Sequence, residues 1–70
     1  MRYLVVVEDG ASSFGAYVPD LPGCIAVGSS REEVMQLIHK AIELHLEDIR
    51  EQGFSIPLPQ SSGELVEIYA

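Results

Sequence analysis

Much of what usually marks a function is scarce in this chain of 70 residues. A single cysteine, Cys24, can form neither an internal disulfide nor a zinc site on its own. The expected setting is therefore reducing and cytoplasmic. Basic residues are few: Arg2, Arg31, Lys40 and Arg50 stand against eleven acidic ones, for a formal charge of −7. Four isolated cations cannot line a nucleic-acid groove, and the net field repels phosphate backbones and anionic lipid. A basic protein is the better-matched partner, because opposite fields speed encounter. No apolar run approaches the ~20 residues that span a bilayer. The start, "MRYLVVVEDG", turns acidic too soon for a signal peptide.

Motifs of catalysis are missing too. Gly10, Gly15, Gly23 and Gly28 are dispersed, with no phosphate-cradling spacing such as GxGxxG or GxxxxGK. A two-metal nuclease centre needs carboxylates converging within a few ångströms. Glu8, Asp9, Asp20 and Asp48 show no such grouping, and Glu32 and Glu33 serve a helix start. His39 and His45 lie six positions apart, about 240° around a helix, so they cannot clamp one metal. Cys24 has acid rather than base nearby and reads as a packed thiol. The expectation is no catalytic residues, no cofactor and no metal.

What is present is a small globular domain across 1–70, with 47% apolar residues. So short a chain stabilises itself by only a few kcal/mol, which makes association a reasonable expectation. "YLVVVEDGASSFGAYV" reads as a hairpin turning near Asp9-Gly10. Its unbroken apolar run Leu4–Val7 suggests a strand covered on both faces, central in a sheet or buried by association. "YVPDLPGC" packs two prolines, an aspartate and a glycine into a stiff corner leading to a third strand, "CIAV".

The clearest element is a helix over 31–52. Ser30 and Glu33 form a capping box, Glu32 and Glu33 favour the positive end of the dipole, and Gly53 and Pro57 end it. Its apolar arc takes in Val34, Leu37, Ile38, Ala41, Ile42, Leu44, His45 and Ile49, widened by Met35 and Leu46. That spans about 200°, twice what a one-sided surface helix needs, so part of it asks for a second cover. "FSIPLPQSSG" is a connection and "ELVEIY" a last strand. The fold class is α/β (α+β), a single small domain in the order β-β-β-α-β, with a right-handed parallel crossover through the helix.

The hairpin with its Asp-Gly, then "AYVPDLPGC", "GSSREEV", "AIELHLEDIREQG" and "IPLP", resemble the HicB family of antitoxins from Tyr3 to Pro59. The resemblance implies a partial ribonuclease-H-like sheet with one long helix packed on it. It implies a non-catalytic protein that neutralises a small basic HicA-type mRNA-cleaving toxin, and that associates with itself as a homodimer or larger homo-oligomer. Many members carry a C-terminal DNA-binding segment; this sequence stops at Ala70, so direct nucleic-acid binding is not expected.

Two sets of residues follow. Asp20, Glu43, Glu47 and Asp48, with Leu21 as apolar anchor, are the candidate toxin-binding surface. Met35, Ile42, His45, Leu46 and Ile49, on the broad helix arc, are the candidate self-association surface. The alternative is a stand-alone self-associating module without a toxin; a hydrolase is the third reading.

Overall fold

In the computed structural model, residues 1–69 are described; Ala70, the last position of the expected domain, lies outside them. Strand β1 (Val6–Asp9) turns into β2 (Phe14–Tyr17) through a loop that Gly10 N–H closes onto the Ser13 carbonyl at 2.8 Å. Strand β3 (Ile25–Gly28) follows, and all three pair antiparallel in the order β1-β2-β3. The register sets Val6 opposite Tyr17 and Tyr17 opposite Ile25. Helix α1 (Arg31–Glu51) closes a single small α+β domain, packed on β3 and β2.

The ladder of β1 begins at Val6 rather than Tyr3 for a reason in the partner strand. Leu4 would stand opposite Pro19, which has no N–H to give, and the Val18 N–H is already spent on the Cys24 carbonyl at 3.2 Å. The strand is also an edge, not the centre, so its two-sided apolar run is only half covered.

The corner Val18–Cys24 is two successive β-turns. Leu21 N–H donates to the Val18 carbonyl at 3.1 Å, and Cys24 N–H to the Leu21 carbonyl at 3.0 Å. Pro22 and Gly23 fill the central positions of the second turn, and Gly23 takes φ +84°, as a type II turn requires. The spacing of three turns Val18, Leu21 and Cys24 inward while Pro19, Pro22 and Gly23 stay outside. The core is these three with Ala16, Val34 and Ile38.

The helix ends are chemically defined. Ser30 Oγ accepts from Glu33 N–H at 3.0 Å, and the Glu33 carboxylate accepts from Ser29 N–H at 2.7 Å, one residue upstream of the usual capping-box partner. At the other end Gly53 adopts φ +79°; its N–H donates to the Arg50 carbonyl and Phe54 N–H to Ile49, a Schellman motif. The approach of helix to sheet is tight at one point: a Cβ on Gly28 would lie 2.9 Å from the Val34 nitrogen.

The expected fourth strand does not form. Residues 64–69 pair with no strand among the described residues, and no parallel crossover is closed.

Candidate partner-binding surface

Each residue proposed from the sequence now has a place. Leu21 is overturned as a surface anchor: it is 0% exposed, drawn inward by the double turn. Asp20 is committed inside the chain. Its Oδ2 accepts from the backbone N–H of Gln60 and of Ser61, both at 2.9 Å, and its Oδ1 accepts from the Ser61 hydroxyl at 2.9 Å. Donation from the Ser61 and then the Gln60 backbone holds its carboxyl below the ordinary carboxylate value. The function of Asp20 is to pin the returning C-terminal segment to the corner.

Glu43, Glu47 and Asp48 are exposed on the outer side of α1. At about 100° per residue, Glu43, Glu47 and Glu51 follow one another down the helix, with Asp48 on the neighbouring flank. Leu44 lies between them and Leu37 two turns earlier along the same line, on the side away from the sheet, and Leu44 is 59% exposed. Both belonged to the expected core arc. They lie too far round the helix to reach a sheet that covers only one side. The outer helix is thus an apolar strip bordered by carboxylates. Lys40 interrupts it, and the exposed His39 Nδ1 stands 3.3 Å from Glu43.

The candidate self-association residues divide. Met35, Ile42 and Leu46 share one flank of α1, where Met35 and Ile42 line a groove of about 390 Å³ against Arg2, Tyr3 and Val5. His45 and Ile49 lie nearer the sheet side and are half-buried. Cys24 is buried, and desolvation pushes its thiol pKa up, the opposite of what a nucleophile needs.

A further apolar surface escaped the sequence reading. The face of the sheet away from the helix presents Val6, Tyr17, Ile25 and Val27, the last two 67% and 65% exposed. The helix side holds the small residues Ala16, Cys24, Ala26 and Gly28. The signal was there in "CIAV", whose alternation sends its larger members to one face. Among the described residues no group of three or more His, Cys, Asp or Glu is gathered to hold a metal, and no helix is long and apolar enough to cross a membrane.

Comparison with known proteins agrees with the motifs. Over residues 3–68 the chain matches the family described as the HicB-like antitoxin of bacterial toxin–antitoxin systems. It is 43% identical over 44 residues to a UPF0150 protein of Helicobacter pylori, covering 63% of this chain and 61% of that one. A UPF0150 protein of Archaeoglobus fulgidus is 40% identical over 48 residues, 67% of this chain and 70% of its own length. Antitoxin HicB 2 of Photorhabdus laumondii is 33% identical over an alignment of 75 positions, which takes in 100% of this chain but 51% of that protein. The chain thus spans only 43% to 61% of the length of several of the curated relatives it matches. No solved structure gave a match. With the match running from Tyr3 to Ile68, the chain belongs to the HicB-like antitoxin family.

Proposed function

We propose that this protein is a non-catalytic antitoxin that neutralises a small, basic, HicA-type mRNA-cleaving toxin by covering the surface on which RNA binds. The observation that carries the reading is the outer face of α1, where Glu43, Glu47, Asp48 and Glu51 border exposed Leu44, with exposed Leu37 two turns earlier along the same line. A surface that cleaves RNA must attract phosphates. An array of carboxylates offers the same charge in competition, and the leucines add apolar contact that RNA lacks. Leu44 takes the anchoring role for which Leu21 is unavailable. Asp20 contributes indirectly, by holding the chain that packs beside the corner. An occluding protein needs no reactive group of its own, and family membership points the same way.

The test is co-expression with the basic product of the adjacent reading frame, followed by affinity measurement. The reading expects growth rescue and co-purification. Combined Glu43→Lys, Glu47→Lys and Asp48→Lys should slow association on the order of tenfold or more, and most at low salt. Leu44→Ala should chiefly speed dissociation. Full affinity in both variants, or RNA turnover by the purified antitoxin alone, would overturn the proposal.

A further inference from the structure

Residues 64–69, "ELVEIY", are built like a strand buried on both faces, yet they stand in solvent. Val66 and Ile68 fall on one side of an extended chain and Leu65 and Tyr69 on the other. Their exposures are 75%, 75%, 102% and 90%. The segment leading to them is well tied. The Tyr3 hydroxyl donates to the Pro57 carbonyl, Asp20 holds Gln60 and Ser61, and Gly63 lies beside the Leu4 side chain. The arm therefore starts from a fixed point next to the N-terminal strand and then leaves the body.

That same strand has a vacancy. β1 pairs with β2 on one side and with no strand on the other among the described residues. Between its N-terminal stretch and α1 runs the groove lined by Tyr3, Val5, Met35 and Ile42. A strand laid along this edge would set one row of side chains into the groove. Arg2 borders the groove, and Glu64 and Glu67 of the arm are opposite to it in charge.

We infer that residues 64–69 are an exchanged arm: in a twofold dimer each copy lays its arm along the open β1 edge of the other. The occupant is a second copy because every copy carries both arm and vacancy, and in the single chain the arm stands exposed rather than on its own β1. A reciprocal exchange fills both edges at once, whereas a foreign partner taking the arm would leave β1 open. The reach is sufficient, since six extended residues cover about 20 Å, more than the ~13 Å of the β1 ladder. Burying four apolar side chains per arm, with the surfaces they cover, removes on the order of 1,500–2,000 Å² in the dimer, the size of a specific interface. The exchange is independent of the toxin-binding reading, which uses the outer face of α1.

Sedimentation velocity and isotope-filtered NMR test it without any toxin present. The full chain should sediment as a dimer at about 100 µM, and truncation after Gly63 should halve the mass. Helical circular dichroism must be retained for the truncation to be read. Ile68→Pro, which keeps the arm's length but denies it ladder geometry, should also give monomer. In a mixture of labelled and unlabelled chains, Val66 and Ile68 methyls should show contacts to Val5 and Met35 of the other copy. A monomeric full chain, a dimer indifferent to both changes, or arm contacts found only within one copy would each overturn the inference.

Discussion

Replacing Leu21 by alanine separates a core residue from a binding anchor. The side chain is 0% exposed and lies beneath two turns whose backbone is held at Val18, Leu21 and Cys24. Such a site collapses poorly once emptied, so the loss should sit well within the range of about 2–5 kcal/mol seen for buried Leu→Ala; about 3 kcal/mol is expected. A 70-residue domain holds roughly 3.5–10 kcal/mol in total, so one substitution removes a third or more. At about 4–8 °C per kcal/mol for a domain this small, the melting temperature should fall by roughly 12–24 °C. The assay is thermal and urea unfolding at fixed protein concentration, because any self-association would shift both midpoints. Leu44→Ala is the control and should lie within about 0.5 kcal/mol of the parent, since its side chain is largely in water. If Leu21→Ala were nearly neutral in stability but weakened partner binding, the assignment of Leu21 to the core would be refuted.

Other predictions follow from named contacts. Asp20 titrates below its ordinary value of 3.8 because the folded chain donates to its charged form. A depressed pKa gives stability that is present above the unfolded value and lost as pH falls through the folded one. Protection of the Gln60 and Ser61 amides should therefore persist at pH 6 and weaken only below 3.8, as pH falls through the lowered folded value, and Asp20→Asn should remove that acid dependence; protection that never weakens with acid would refute it. Ser30→Ala should cost about 1 kcal/mol through the lost helix cap, read by urea unfolding. Cys24 should react with a thiol reagent only as the corner opens, so labelling should accelerate with denaturant; prompt labelling in buffer would contradict its burial.

The parts legible in the sequence are those governed by local chemistry. Ser30, Glu33 and Gly53 place the helix ends to within a residue, because caps act over three or four positions. The proline corner was legible as a turn for the same reason. What failed depended on which way a side chain points in three dimensions. Leu21 sits between exposed-looking neighbours, and only the i→i+3 bonds of both turns reveal that every third residue goes inward. Asp20 looked like a free surface charge because its donors are forty residues away in sequence. The alternation in "ELVEIY" points to a fourth strand, but residues 64–69 pair with no strand among the described residues, and alternation alone cannot say where a strand's partner lies.

The helix offers the last prediction, because its length and that of the sheet disagree. Twenty-one residues at 1.5 Å make about 32 Å, while four-residue strands reach only about 13 Å. The sheet can therefore underlie fewer than half of the helical turns. Accordingly Val34 and Ile38, in the first half, are fully buried, while Ile42, His45, Leu46 and Ile49 keep the same apolar phase but are only half covered. An isolated helical half of ten residues is marginal in water, so its persistence depends on that partial cover. Amide exchange should show a gradient, with protection near the global value around Val34–Ala41 and markedly weaker from Leu44 to Glu51. The dilute chain truncated after Gly63 is the right sample, since no arm or second copy then shields the helix. Uniform protection to Glu51 in that sample would mean that the second half draws its stability from the chain's own fold, and the mismatch of lengths would explain nothing.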